Sequence, residues 1–319
     1  MKLVEILAPD FDLAMTLDSG QVFHWGKVGS GFLGTIGELP VYVEQWGNAL
    51  KVRMEGGAPA KPGSQGEFRT SSQKLAPPVV ELVKNYFALD HPLTKICSSF
   101  PKDPAMNAAR KFCRGLRIIR QPKWECLATF ICSSMKQVAH IRQISKALRE
   151  RFGVPRRIDH HVAHTFPSAR RLAESSENEL RKCALGYRAK NLLATARLVG
   201  SGEVDLDAWS TLADADLREK LCALPGVGAK VANCVMLFAY ERLRAFPIDV
   251  WMERILREKY FPRKGKATLH RLREFSETYF GEHSGYAQQY LFHYARTALR
   301  KPGGPRDSST ALRSARNDK

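Results

Sequence analysis

Leu224-Pro225-Gly226-Val227-Gly228-Ala229-Lys230, followed nineteen residues after the lysine by Pro247-Ile248-Asp249-Val250, is the stretch that decides the fold. One helical pattern ends near Leu221, and a second, with apolar Val231, Cys234, Val235 and Phe238, runs from Ala229 to about Tyr240. The glycine-bearing run between them makes a helix-hairpin-helix. Gly226 and Gly228 lack a β-carbon, so the turn is open to backbone angles closed to other residues and to close approach by a ligand. The amides that open the second helix face outward, and this positive end suits a DNA phosphate, with Gly226, Gly228 and Val231 as the contacts. Hairpins of this shape grip backbone without reading sequence. Alone, this one implies only a DNA-binding module.

Composition points the same way. The 319 residues hold 50 Lys plus Arg against 32 Asp plus Glu, a formal charge of +18. Such a balance favours a polyanionic partner and salt-sensitive binding, the bland alternative being a soluble basic protein. The length leaves room for two or three domains with substantial cores. No apolar run approaches a membrane span, and Glu5, Asp10 and Asp12 sit too near the start for a signal peptide, so an intracellular chain with no membrane partner is expected. The seven cysteines stand singly, with no Cys-x-x-Cys, as reduced thiols would. His160, His161 and His164 invite a metal reading, but they lack the glutamate of a zinc-protease helix and stand beside a loop ending at Pro167. Polar surface histidines are the better reading.

Residues 1–54 read as short alternating strands with glycine turns, among them 32–36 and 41–44. A Gly, Pro, Ser and Lys-rich loop at 55–78 precedes a helix over 79–88. From Asp103 onward helical periods dominate, near 104–113, 123–133, 136–151, 177–184, 188–200, 214–222, 229–241, 249–259, 266–280 and 284–299. The tail 301–319 has little to bury and is expected to be disordered and basic. The fold class expected is α+β, with an antiparallel-sheet domain over 1–100 and a helical domain over 101–300 that contains the hairpin at about 214–241.

The hairpin with its downstream Pro-Ile-Asp-Val resembles the DNA glycosylases named for that hairpin and for a Gly/Pro-rich loop with an aspartate. Within them the chain resembles the 8-oxoguanine DNA glycosylases with abasic-site lyase activity. Ser19-Gly20-Gln21-Val22-Phe23-His24-Trp25, Ile131-Cys132-Ser133-Ser134, Leu185-Gly186-Tyr187-Arg188-Ala189-Lys190 and Gly285-Tyr286-Ala287-Gln288-Gln289-Tyr290-Leu291-Phe292 fall in that family's order, across roughly residues 15 to 295. The resemblance implies a TBP-like N-terminal sheet, duplex DNA carrying oxidised guanine as partner, and a chain acting as a monomer. Endonuclease III and the adenine glycosylases carry a four-cysteine iron-sulfur loop after the aspartate; no cysteine follows Cys234 here, so no such cluster is expected. No organic cofactor is implied. A structural monovalent or divalent cation held by the backbone carbonyls of Cys222, Leu224 and Val227 is, as in similar hairpins.

The resemblance also implies roles. A base must leave the duplex before its glycosidic carbon is reachable, at a cost of a few kcal/mol, order of magnitude. Tyr187 would be the wedge and Arg188 the reader of the opposite base, unless the pair is merely a helix start on a basic surface. Gln288 and Phe292 are four apart and share a helix face, as do Lys230 and Cys234. Opposed, those faces would sandwich a base between Phe292 and Cys234, with Gln288 at its pairing edge. The Gly20 carbonyl would accept the N7–H that only oxidised guanine carries; the alternatives are that Gly20 turns a strand and Phe292 fills the core. Lys230 would attack the anomeric carbon and form a Schiff base, which requires a neutral amine, or else only contact phosphate. Asp249 would stabilise positive charge on the sugar, cap the following helix, or both.

Two departures concern the opposite strand. Where vertebrate-type members have an asparagine run and an arginine that help read cytosine, this chain has Met135-Lys136-Gln137 and His140, which implies relaxed selectivity for cytosine. Trp251 stands where they have a phosphate-binding histidine. Both departures resemble bacterial members, so the expected setting is bacterial cytoplasm or nucleoid rather than a nucleus. Two other functions stay open: a monofunctional alkyl-base glycosylase of this fold, and a non-enzymatic helix-hairpin-helix DNA-binding protein.

Overall fold

Alternation of apolar and polar side chains builds the N-terminal layer. In the computed structural model, which describes residues 3–54, 76–134, 136–262 and 267–298, strands β1 (Val4–Leu7), β2 (Gly26–Val28), β3 (Gly31–Ile36), β4 (Leu39–Trp46) and β5 (Ala49–Met54) form one antiparallel sheet in the order β1-β5-β4-β3-β2. Ile6, Val41, Val43, Leu50 and Val52 turn to one face, where Val83, Tyr86, Phe87 and Ile119 cover them. Each such side chain contributes about 2 kcal/mol when removed from water. The tail from Lys301, Met135, and the 55–78 loop in all but its last residues lie outside the described residues.

Two features of this part differ from the sequence reading. Residues Leu13–Asp18 form a helix, α1, rather than strand, because the Asp12 side chain accepts a hydrogen bond from Met15 N at 2.7 Å and caps it. A second, two-stranded hairpin, β6 (Pro155–Ile158) with β7 (His161–His164), replaces the expected loop. Its two-residue turn has Asp159 at φ 49°, and ion pairs from Arg53 to Asp159 and from Arg156 to Glu38 (3.1 Å) pin it to the sheet. His160 and His161 are exposed on it.

The remaining chain is helical: α2 (Ala76–Tyr86), α3 (Leu93–Ser98), α4 (Pro104–Phe112), α5 (Lys123–Cys132), α6 (Val138–Phe152), α7 (Ala169–Ala173), α8 (Glu177–Leu180), α9 (Arg188–Gly200), α10 (Asp214–Cys222), α11 (Ala229–Ala239), α12 (Val250–Tyr260), α13 (Leu269–Tyr279) and α14 (Ser284–Ala298). The helix expected over 177–184 is interrupted: α8 runs into a wide turn at Arg181–Leu185, where Ala184 sits at φ 61° and Gly186 at φ 58°. No described helix is long and apolar enough to cross a membrane.

The two cores interlock. Met15 and Phe23 from the N-terminal part, with Leu93, Ile96 and Phe100, pack into the helical core, while Ile119 packs under the sheet, so residue 100 does not divide them. A buried polar joint adds direction. Glu125 on α5 pairs with Arg149 on α6, whose guanidinium also donates to Thr35 Oγ1 on β3 and His164 O on β7, each at 2.9 Å. His24 completes the joint against Thr35 O, and burial drives its pKa well down, keeping the ring neutral.

Candidate active site

The site begins at the hairpin between α10 and α11. Gly226 takes φ 81°, and a β-carbon there would lie 2.8 Å from Cβ of Asn191, so glycine is required twice over. Thr195 Oγ1 donates to Pro225 O at 3.0 Å and holds the turn on α9. Gly228 differs from the sequence reading. It caps α11 with ordinary extended angles (φ −99°), and a β-carbon would meet nothing within 4 Å, so its open side, not its backbone, is the feature. No side chain caps α11, which leaves the amides of Ala229, Lys230 and Val231 directed outward.

Lys230 and Asp249 converge. Both line a cleft of about 930 Å³ shared with Gly20, Cys234, Gln288 and Phe292. Lys230 Nζ donates to Ser133 Oγ at 3.0 Å and lies 5.1 Å from the Phe130 ring centroid. Ser133 Oγ in turn donates to Phe130 O at 2.7 Å, so α5 supplies the rest on which the amine is set. Asp249 caps α12, accepting from Met252 N at 2.8 Å. Burial raises its pKa, while the Met252 amide and the charge of Lys230 pull it back. One turn beyond Lys230, burial pushes the Cys234 thiol up to about 11, so it is a neutral wall.

Across the cleft, α14 presents Gln288 and Phe292. Gln288 is only 4% exposed, and its Oε1 is buried with no hydrogen-bond partner among the described residues. Beside it runs the segment Asp18–Gln21. The carbonyls of Asp18, Ser19 and Gln21 each accept a side-chain hydrogen bond, from Arg296, Gln289 and Gln121, whereas that of Gly20 accepts none among the described residues. Gly20 has φ 87°, and a β-carbon there would lie 3.2 Å from Phe292 Cε1. Two acceptors of cleft-lining residues, Gln288 Oε1 and Gly20 O, therefore take no hydrogen bond among the described residues.

The residues assigned to the opposite strand stand apart. Tyr187 is 57% exposed at the start of α9 and outside the cleft. Arg188 does not project beside it. Its guanidinium turns inward, 5% exposed for the residue, to donate to Ser134 O through Nε at 2.8 Å and through Nη2, and to Leu185 O at 3.3 Å, with Tyr187 stacked over it at 4.3 Å. His140 is exposed on α6, outside the cleft, while Trp251 and Val231 line it. At the hairpin, the carbonyls of Cys222 and Val227 accept no hydrogen bond among the described residues, and that of Leu224 accepts one, from Val227 N at 3.1 Å. Such oxygens suit a hard cation.

Comparison with known proteins places this geometry. Residues 4–127 match the N-terminal domain of 8-oxoguanine DNA glycosylase, and residues 128–279 match the HhH-GPD superfamily of base excision DNA repair proteins. The N-glycosylase/DNA lyase OGG1 of Arabidopsis thaliana is 31% identical over 295 residues, covering 89% of this chain and 77% of its own. The chain belongs to the 8-oxoguanine DNA glycosylase family. Among solved structures, MBOgg1 in complex with a low affinity DNA ligand superposes with a TM-score of 0.84 at 30% identity, covering 94% of this chain and 97% of its own. The Clostridium acetobutylicum 8-oxoguanine glycosylase/lyase, bound to double-stranded DNA with cytosine opposite 8-oxoG, gives 0.81 at 28% identity, covering 93% and 96%.

Sequence reasoning missed Ser133, Phe130, Gln289 and Arg296. Ser133 lies in the Ile131–Ser134 run but 97 residues from Lys230, and only the packing of α5 on α11 brings them together.

Proposed function

We propose that the protein is a bifunctional DNA repair enzyme that excises 8-oxoguanine from duplex DNA and then cleaves the strand at the abasic site. The convergence of Lys230 and Asp249 on one cleft that Gln288 and Phe292 also line carries this reading. A buried acceptor without a partner among the described residues, on a residue that lines a cleft, is what a ligand donor would satisfy. The relatives' names and DNA complexes point to the same substrate.

The chemistry follows from the residues. The base lies between Phe292 and the Cys234 wall, with Gln288 bonding its pairing edge and the Gly20 carbonyl accepting N7–H. Guanine, with a lone pair at N7, would face that carbonyl repulsively. Lys230, once it has given up a proton, bonds to C1′, the C1′–N9 electron pair departs with the base, and the surplus amine proton passes to the leaving base. The Asp249 carboxylate stabilises the positive charge that grows on the sugar. The sugar opens to an imine of Lys230, a C2′ proton is removed, and the C3′–O bond breaks with the 3′ phosphate leaving. Water then hydrolyses the imine and frees the amine.

Around this centre, Tyr187 wedges the stack, and the amides at Gly228 to Val231, with Trp251, meet phosphates. Arg188 reads the opposite base only if it gives up Ser134 O and Leu185 O. A cation at the Cys222, Leu224 and Val227 carbonyls would bridge hairpin to phosphate and take no part in bond making. The enzyme acts as a monomer, without an iron-sulfur cluster or organic cofactor, in a bacterial cytoplasm.

The test is a duplex with a single 8-oxoguanine, resolved on a denaturing gel with and without borohydride. Nicking and a borohydride-trapped covalent complex, both lost in Lys230→Gln, are expected. Base release without nicking or trapping would point instead to a monofunctional glycosylase, and binding without any release to a DNA-binding protein. Trapping that persists in Lys230→Gln would overturn the assignment of the nucleophile.

A further inference from the structure

Discrimination in this site, on the 8-oxoguanine reading above, rests on one main-chain oxygen. A carbonyl distinguishes a hydrogen from a lone pair at N7 only if it is aimed at that atom and unable to turn away. The structure supplies the means of aiming. Gln289 on α14 is 2% exposed, and its Nε2 donates to Ser19 O at 3.1 Å. Two turns on, Arg296 is 9% exposed; its Nη2 donates to Asp18 O, and its guanidinium carbon lies 5.8 Å from the Phe292 ring centroid. On the far side, the Gln121 amide donates to Gln21 O at 2.8 Å, while the Gln21 amide donates to Ser19 Oγ at 2.9 Å and to Arg117 O at 2.8 Å.

Peptide units are planar, so pinning the carbonyls on either side of Gly20 leaves its own with little freedom to rotate. The positive φ at Gly20 then sets its direction. Residues 288 and 292 form one stripe of α14, and 289 and 296 form the next. One rigid helix thus carries the reader of the pairing edge, the stacking ring and the two clamps on the lesion-reading segment. Their spacing is fixed by the helix and not by a loop.

We propose that Gln289 and Arg296 are positioning residues that determine lesion specificity: by gripping the Ser19 and Asp18 carbonyls they fix the Gly20 carbonyl against N7 of the extruded base. Both border the cleft, but each commits a donor to the segment, Gln289 to Ser19 O and Arg296 to Asp18 O. Losing either grip lets the segment recoil from Phe292, which lengthens the bond to N7–H and relieves the repulsion toward an N7 lone pair. Affinity for the lesion falls and tolerance of guanine rises. Chemistry at the sugar, held by α5, α11 and α12, is left in place.

Gln289→Met and Arg296→Met keep much of the side-chain length and remove the donors. Each is made in the Lys230→Gln background for anisotropy titrations with matched duplexes containing 8-oxoguanine or guanine, and alone for borohydride capture on a duplex with a preformed abasic site. The ratio of affinities for the two bases is expected to fall about tenfold, the loss of one hydrogen bond of about 1.4 kcal/mol. Abasic capture is expected to match the unsubstituted enzyme, and Arg296→Lys, which keeps a donor, is expected to restore most of the ratio. An unchanged ratio overturns the proposal, as do parallel losses in both titrations and in abasic capture, the mark of a purely structural role. If Arg296→Met does not fold, Gln289→Met decides alone, because it touches the segment only at Ser19. Failure of the unsubstituted enzyme to excise 8-oxoguanine is a separate result and refutes the function proposed above.

Discussion

Replacing Gln288 with leucine should raise stability and lower activity at once. The amide is 4% exposed, and its Oε1 has no partner among the described residues. Leaving a buried acceptor unpaired costs about 1 to 3 kcal/mol, and the lower end applies at the wall of a cleft that water can enter. Leucine of similar volume removes that deficit, so stability should rise by about 1 kcal/mol, or about 2 °C in Tm for a chain of this size. With the base bound the sign reverses. Gln288 can give and accept one hydrogen bond each at the pairing edge, and losing two such bonds at about 1.5 kcal/mol apiece lowers kcat/KM roughly 150-fold. Differential scanning calorimetry and single-turnover excision from an 8-oxoguanine duplex measure the two effects on one preparation. A lower Tm with unchanged excision would show that Gln288 serves packing and that the pocket lies elsewhere.

The hairpin glycines should separate: Gly226→Ala, strained at positive φ and crowded by Asn191, should destabilise by about 2 kcal/mol, while Gly228→Ala should leave urea stability unchanged and weaken DNA binding alone. Asp249→Asn keeps a helix cap and removes the charge, so it should preserve Tm yet lose excision, whereas Asp249→Ala should lose both, with about 1 kcal/mol of stability from the cap; equal excision by Asn and Asp would remove the electrostatic role. Hydrogen bonding from His91, with Arg120 beside it, holds the Glu241 carboxyl at about 2 instead of 4.5. Its folded pKa is depressed, so its stabilising contribution is complete above 4.5 and disappears as pH falls toward 2; Glu241→Gln should flatten that part of a Tm-against-pH curve. Cleavage assays with each of the four bases opposite the lesion should show weak preference for cytosine, and strong, equal rejection of the other three would refute the reading of Met135 and His140.

The parts legible in sequence were those written in local period or chemistry. Gly226 with Val231, Cys234 and Val235 announces a turn and a buried helix face, and the alternation of Val41 and Val43 announces a half-buried strand. Gln288 and Phe292 share a face by spacing alone. What escaped was set by distant contact. Leu13–Asp18 is too short for a period, and its one signal is the cap at Asp12. The hairpin at 155–164 owes its pairing to a two-residue turn and to ion pairs with residues 38 and 53. Ser133 and Arg188 show the limit most clearly. A serine within a helix-ending run gives no hint that it will meet Lys230, and an arginine beside an exposed tyrosine gives none that it will turn inward to Ser134 O.

Several unsatisfied groups gather at the cleft and its hairpin, while others, such as the buried Nε atoms of Arg53, Arg156 and Arg218, lie away from it. Gln288 Oε1, the Gly20 carbonyl, the uncapped amides from Ala229 to Val231 and the Cys222 and Val227 carbonyls lie along the cleft and its hairpin. Elsewhere Asp12, Asp103, Ser168, Ser176 and Thr268 cap their helices, and three glutamines and an arginine fasten the segment around Gly20. α11 shares its open N-terminus with α3, α5, α6, α9 and α10, and what distinguishes it is its place beside the cleft. A side-chain cap there would occupy the amides that a phosphate needs, just as a donor on Gln288 or Gly20 would occupy the acceptors that a base needs. The groups gathered at the cleft and hairpin suit one kind of partner: anionic at the hairpin, and flat and rich in N–H donors against Phe292. An extruded purine on its sugar-phosphate backbone meets both demands at once.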